Sequence, residues 1–139
     1  MYNIHLLPAQ FGDAILIEYG SVTTPKYILI DGGPYFGFDE MTTALNKVAP
    51  KLKQLELLVV THIDIDHIDG IITLLNLKKQ PFKIKEIWFN GWDQLKPIKT
   101  GLLGPLQGEY LSYLIREKVI PHNKSFNGKA VMVTDPSHL

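Results

Sequence analysis

The sequence of 139 residues contains no cysteine. This absence excludes disulfide bonds and thiolate ligands, so any bound metal must be held by nitrogen and oxygen atoms. No apolar run approaches the roughly 20 residues that cross a bilayer, and the N-terminus lacks the basic segment and apolar core of a signal peptide. We therefore expect a cytoplasmic protein with no membrane partner.

An excess of charge of either sign is also missing. Fourteen basic and fourteen acidic side chains cancel, so net charge does not support a nucleic-acid partner. A small-molecule or phosphoester substrate remains compatible with this neutrality. Apolar residues make up 45% of the chain and charged residues 20%, which is typical of a globular protein. The length predicts one domain over residues 1–139.

Hydrophobic patterning predicts a mixed sheet with helices between its later strands. Three short strands joined by tight loops favour an antiparallel opening, and a later strand-helix-strand unit favours a parallel pair. The fold class is therefore α/β (α+β). The predicted strands cover residues 2–7, 14–19, 27–30, 55–60, 84–89 and 130–134, and the predicted helices cover 39–52, 68–77 and 106–119.

Three finer expectations accompany these elements. Asp39 is expected to cap the first helix. The apolar strand over 55–60 is expected to be buried on both faces. In the last helix, the side chains expected to face inward are Leu106, Tyr110, Leu114 and Ile115.

Residues 61–70 form the densest chemical cluster of the chain. In an extended strand His62 and Asp64 point to the same side, and Asp66 and His67 follow where the chain turns into a helix. Two pairs of nitrogen and oxygen ligands suit one or two divalent ions. Alternatively, Asp64 or Asp66 caps the helix and His62 is a structural histidine at a strand end. That alternative explains one or two of the four side chains.

Other polar residues are expected around this cluster. Thr61 and Asp69 are placed for supporting hydrogen bonds to the ligands. Asp31 is either an ordinary turn residue before two glycines or a carboxylate beside the metal. Asn90 and Trp92 follow the neighbouring parallel strand, so they are candidates for a pocket wall, although tryptophan is also a common core residue.

The motif Thr61-His62-x-Asp64-x-Asp66-His67-x-x-Gly70 resembles the signature of the metallo-β-lactamase fold, Thr-His-x-His-x-Asp-His-x-x-Gly. It is most similar to the His-x-Asp-x-Asp-His variants of competence (ComEC-type) proteins. Upstream, the 12–14 and 31–33 segments match the opening hairpin and the aspartate turn of that fold. The resemblance implies an αββα sandwich, a first metal on His62 and Asp64, a second on Asp66 and His67, and a supporting Asp31.

The resemblance also implies a function. A metal-dependent hydrolase would use a metal-bound hydroxide on an ester or phosphodiester, with Asp66 as the catalytic residue that orients it. Zinc is the expected ion, and manganese or iron are alternatives because Asp64 replaces a histidine of the usual motif. The alternative function is a non-catalytic metal-binding or assembly module of the same fold.

The usual downstream ligands of that family are not found. His122 and His138 are the available histidines, but neither lies in the expected context. We therefore expect the chain to be the N-terminal portion of a domain that is incomplete at its C-terminus. An exposed sheet edge should then favour self-association or pairing with a C-terminal half.

Overall fold

A computed structural model describes residues 1–95 and 106–132 of the chain. A five-stranded mixed sheet is combined with helices, which confirms the α+β class. The strands are β1 (Tyr2–Leu6), β2 (Ile15–Gly20), β3 (Pro25–Ile30), β4 (Gln54–Leu55), β5 (Leu57–Val60), β6 (Lys83–Ile84) and β7 (Ile87–Phe89). The strand order in the five-stranded sheet is β1-β2-β3-β5-β7, and a separate two-stranded sheet pairs β4 with β6.

The direction of the strands follows the prediction. β1, β2 and β3 form an antiparallel meander, and β5 and β7 continue the sheet in parallel with β3. The carboxyl ends of β3, β5 and β7 therefore lie at one edge. This edge carries the residues that follow those strands, which include the 61–70 cluster.

The two later predicted strands are each divided into two. Glu56 separates β4 from β5. In the neighbouring segment, Lys85 and Glu86 separate β6 from β7. The Lys85 N–H donates to the Leu55 carbonyl, whereas the Leu58 N–H donates to the Glu86 carbonyl. The two segments keep the same register on both sides of this step, but the hydrogen-bond ladder between them is interrupted, so two short strands replace each predicted long one.

The helices are α1 (Phe38–Val48), α2 (Ile65–Asn76), α3 (Trp92–Leu95) and α4 (Leu106–Glu117). The predicted cap of α1 is wrong: a 3-10 turn over Tyr35–Gly37 leads into the helix, Gly37 occupies the cap position, and Asp39 lies within the first turn. α2 begins before the predicted start, so Asp66 and His67 are helical residues. Asp64 is at its cap position but makes no side-chain capping hydrogen bond.

The core lies on one face of the sheet. Leu16, Leu29, Leu58 and Ile87 form a row across four strands, and all four are fully buried. α2 contributes Ile68 and other buried aliphatic residues, and packs against α4. The opposite face is only half-buried at β5, where Leu57 and Val59 point outward. The expectation that this strand is buried on both faces is therefore wrong.

Two further expectations about the C-terminal part need correction. In α4, Leu111, Leu114 and Ile115 face the core, while Leu106 is 80% and Tyr110 42% exposed. The predicted strand over 130–134 is absent from 130–132, and its remainder lies outside the described residues. The predicted loop over 100–105 also lies outside the described residues, as does His138. In the described ranges, no helix has the length and apolar character needed to cross a bilayer.

Candidate metal centre

The first turn of α2 is held against two loops at the carboxyl edge of the sheet. The Gly32 N–H donates to the His67 carbonyl at 3.0 Å, and the Gly70 N–H donates to the Gly33 carbonyl at 2.8 Å. From the loop before β2, the Asp13 N–H donates to the Asp66 carbonyl at 3.3 Å. These backbone bonds fix the position of the helical residues of the cluster.

Two glycines make this close approach possible. A Cβ atom at Gly12 would lie 1.8 Å from the Asp66 carbonyl oxygen, and one at Gly70 would lie 1.9 Å from the Gly32 carbonyl oxygen. Both distances are far inside van der Waals contact, so any side chain would separate the loops from α2.

Asp31 is the buried centre of the hydrogen-bond network. It is 1% exposed, and its φ of 56° lies in the left-handed region, which aspartate tolerates better than most residues. Its Oδ1 accepts the Thr61 N–H at 2.8 Å, and its Oδ2 accepts the Thr61 hydroxyl at 2.6 Å. The same Oδ2 lies 2.9 Å from Nδ1 of His67. Asp31 therefore joins the end of β3 to the end of β5 and to α2.

These contacts select the tautomers of both histidines. Oδ2 of Asp31 already accepts the Thr61 hydroxyl, and a carboxylate oxygen accepts hydrogen bonds, so Nδ1 of His67 carries the hydrogen that it donates. The Thr61 hydroxyl uses its single hydrogen on Asp31, so its oxygen accepts from Nδ1 of His62 at 2.9 Å. A neutral His62 and a neutral His67 then both present an Nε2 atom without a hydrogen. Metal-binding histidines are oriented in this way.

Each free Nε2 atom faces a carboxylate. The distance from His62 Nε2 to Asp64 Oδ2 is 3.5 Å, and that from His67 Nε2 to Asp66 Oδ2 is also 3.5 Å. The two imidazole rings are 3.8 Å apart between centroids. A lone pair directed at a carboxylate is repulsive unless a cation or a proton lies between them. The geometry therefore suits two adjacent cation positions.

In residues 1–95 and 106–132, no group of three or more histidine, aspartate and glutamate side chains is arranged to hold one ion. The pairs described above supply two donors each. A further carboxylate lies close by: Oδ2 of Asp13 is 3.9 Å from His67 Nδ1, and its side chain is 65% exposed. Sequence reasoning missed Asp13 as a site residue, although its place in the Gly12-Asp13-Ala14 segment could have indicated it.

The remaining predicted residues lie around this edge with different roles. The Asp69 carbonyl accepts from the Thr73 hydroxyl, and burial raises the pKa of the Asp69 carboxyl. The Asn90 amide exchanges two hydrogen bonds with the Val131 backbone, and both residues line a cavity with Thr61. Trp92 is half-buried at the start of α3 and does not line that cavity.

His122 and His5 lie in other surroundings. Nε2 of His122 donates to the Phe89 carbonyl at 2.7 Å, because a carbonyl oxygen can only accept. His5 lies on β1, where its Nε2 is 3.5 Å from a Glu18 oxygen. Both histidines therefore lie outside the 61–70 cluster.

Comparison with known proteins adds no relative: neither the protein-family models nor the curated proteins contain a match to this chain. The metallo-β-lactamase resemblance of the motif therefore stays a prediction, and the geometry of the site carries the functional argument alone.

Proposed function

We propose that the chain is a metal-dependent hydrolase, or the part of one, that acts on an ester or phosphodiester. The observation that carries this proposal is the pair of imidazole Nε2 atoms, each 3.5 Å from a carboxylate oxygen, on rings whose Nδ1 atoms are bound by Thr61 and Asp31. The donor types fit a divalent ion, because neutral imidazole and carboxylate are common ligands of zinc and other transition metals.

His62 and Asp64 would hold one ion, and His67 and Asp66 a second. Such an ion would supply Lewis acidity and an activated water. Asp66 is the proposed catalytic residue. Its carboxylate belongs to the more buried of the two pairs, His67 with Asp66, and can orient a nucleophile. Asp31 and Thr61 keep both imidazoles in the metal-binding tautomer.

Zinc is the proposed ion, with manganese or iron as alternatives. One carboxylate for each imidazole makes the donor set harder than one built mainly from histidine. Asp64 and Asp66 also place two negative charges beside the proposed ions. This negative charge favours divalent cations over neutral ligands.

The metallo-β-lactamase-like fold is proposed on the same grounds. It is supported by the antiparallel opening, the parallel β3, β5 and β7 strands, and a site at their carboxyl edge. In this proposal the five-stranded sheet is one half of an αββα sandwich.

The second candidate is a non-catalytic metal-binding or assembly module. The observation that favours it is that each pair offers only two protein donors among the described residues, whereas catalytic zinc sites use three protein ligands. An ion held this weakly would mark a binding site without turnover.

Turnover of a phosphodiester and an ester, such as bis(p-nitrophenyl) phosphate and p-nitrophenyl acetate, separates the two candidates. We expect hydrolysis that requires added zinc or manganese and falls at least 100-fold in Asp66→Asn and in His67→Ala. His5→Ala is the matched control, because it removes an imidazole outside the cluster. Metal binding without turnover would support the module, and turnover unchanged in both variants would refute the hydrolase.

A further inference from the structure

Three large aromatic side chains are exposed to solvent and contact one another. Phe11 is 65% exposed, Tyr35 67% and Phe36 54%. The ring centroids of Phe11 and Phe36 are 5.5 Å apart, and those of Tyr35 and Phe36 are 5.6 Å apart in an edge-to-face arrangement. Contiguous exposed apolar groups mark binding surfaces, and aromatic rings contribute most to such surfaces. We refer to these three residues as the aromatic group.

The aromatic group is next to the candidate metal centre. Only Gly12 separates Phe11 from Asp13, whose carboxylate is 3.9 Å from His67 Nδ1. Tyr35 and Phe36 follow the turn over 31–34, in which the Gly33 N–H donates to the Asp13 carbonyl at 2.9 Å. The loops that carry the three rings are therefore the loops that hold the start of α2.

The loop that carries Phe11 is held in a strained conformation. Gln10 has a φ of 56°, which a non-glycine residue adopts only at a cost. The Gln10 amide donates to Glu40 on α1 at 2.8 Å, and the Gly12 N–H donates to the Ala9 carbonyl at 2.8 Å. A Cβ atom at Gly37 would lie 3.1 Å from Gln10 Cγ, so the two loops pack tightly. The backbone that carries Phe11 is thus held in place before any ligand binds, which lowers the entropic cost of binding.

The charges around the aromatic group restrict the class of ligand that it can bind. The segments 8–14 and 31–37 contain two aspartates and neither lysine nor arginine. Glu40 adds a third carboxylate through its bond to Gln10. Recognition here would therefore use the faces and edges of the rings and not an anion-binding side chain.

We propose that the aromatic group binds an uncharged planar ring, carried by the substrate beside its scissile ester or phosphodiester bond. This assignment of the ring to a substrate rests on the proposed hydrolase function. The ring could be a nucleobase or an aryl group, since both offer the same π face. Removal of one stacking side chain weakens binding of a base by about 5- to 100-fold.

Isothermal titration in the presence of a chelator tests ring binding without any metal. Adenosine 5′-monophosphate is compared with ribose 5-phosphate, and phenyl phosphate with methyl phosphate, because each pair differs only in the ring. We expect at least a fivefold preference for the ring-bearing member of one or both pairs. Phe36→Leu should abolish the preference, and Phe36→Tyr should retain it.

Tyr113→Leu is the matched control, because Tyr113 is 51% exposed on α4 and stacks on Tyr110 away from the cluster. A preference confined to the monophosphate pair assigns a nucleobase, and one confined to the phenyl pair assigns an aryl ring. Equal affinities within both pairs, or a preference that survives Phe36→Leu, would overturn the proposal. Failure of the hydrolase function alone would appear differently, as ring binding without metal-dependent turnover.

Discussion

At the scale of single residues, the site depends on one buried carboxylate and one hydroxyl. Asp31 binds Thr61 and His67, and Thr61 in turn binds His62, so a single chain of hydrogen bonds sets both imidazole tautomers. The motif spacing predicted which side chains would gather here. It could not predict this network, because the network depends on the left-handed backbone of Asp31 and on the distance between two strand ends.

Thr61→Val should weaken metal binding without unfolding the protein. Valine keeps the β-branched shape of threonine but removes the hydroxyl between Asp31 and His62. We expect a loss of about 1 kcal/mol in the free energy of unfolding and a 10- to 100-fold loss of metal affinity, as for other residues that orient ligands. Thr61→Ser should restore both quantities. Metal affinity in Thr61→Val equal to that of the wild type would contradict the tautomer argument.

At the scale of secondary-structure elements, patterning predicted most strands, their directions and the three longer helices. The predictions were wrong where contacts between distant parts of the chain determine where an element is interrupted or which of its faces is buried. The break at Glu56 depends on an interruption of the hydrogen-bond ladder between residues 54–60 and 83–89, and the inward face of α4 depends on how that helix lies on α2. α2 began earlier than predicted because its first turn is bound by the Gly12 and Gly32 loops, which no local pattern reveals.

Gly70→Ala should reverse the usual effect of this substitution. Alanine in a helix is more favourable than glycine by about 1 kcal/mol. At Gly70, however, the new Cβ would collide with the Gly32 carbonyl oxygen at 1.9 Å. We expect a net destabilisation of about 2 kcal/mol or more from the displaced loop, measured by denaturant unfolding.

Gly108→Ala on α4 is the matched control for that experiment. Its nearest neighbour would be the Ile63 Cγ2 atom at 3.1 Å, which belongs to a side chain that can move. Its effect should be close to zero or stabilising. Equal effects of the two substitutions would contradict the clamped geometry of α2.

The turn over Lys124–Phe126 should be held less strongly against the sheet at low pH. Burial raises the pKa of Glu86, but hydrogen bonds from Ser125 and Trp88 outweigh it and hold the pKa below the usual value. A lowered pKa stabilises the folded state above the ordinary pKa of 4.5, and this contribution is lost as pH falls through the folded-state pKa.

Tryptophan fluorescence and thermal unfolding from pH 7 to pH 3 measure this loss. Glu86→Gln should lower stability by about 1 kcal/mol at pH 7 and remove this component of the pH dependence. An identical pH profile in the variant and the wild type would show that Glu86 does not hold the turn.

At the scale of the whole molecule, α2 and α4 lie on one face of the sheet, whereas on the other face Phe126 packs edge-on against Trp88 of β7. Outward-facing apolar side chains form rows across the strands; one row contains Leu6, Ile15, Ile30, Val59 and Trp88. Ile4 and Leu6 on the edge strand β1 are 57% and 80% exposed. Apolar sheet faces pack on one another in β-sandwiches, so this surface fits the self-association expected from the sequence.

Ile4→Lys should reduce self-association because it places a charge on the exposed edge strand. We expect wild-type dimers that dissociate on dilution and a lower dimer fraction in the variant, measured by size-exclusion chromatography with light scattering. Val22→Lys is the control, since Val22 is 78% exposed in a loop. A monomeric wild type across the concentration range would refute this prediction.

The central claim is that the 61–70 cluster binds a divalent metal, and a metal titration of the purified protein tests it most directly. Zinc and manganese binding should be saturable, with one or two ions per chain. His62→Ala and His67→Ala should each weaken it at least tenfold, and His5→Ala should leave it unchanged. Equal binding by the wild type and a His62→Ala/His67→Ala double variant would contradict the account.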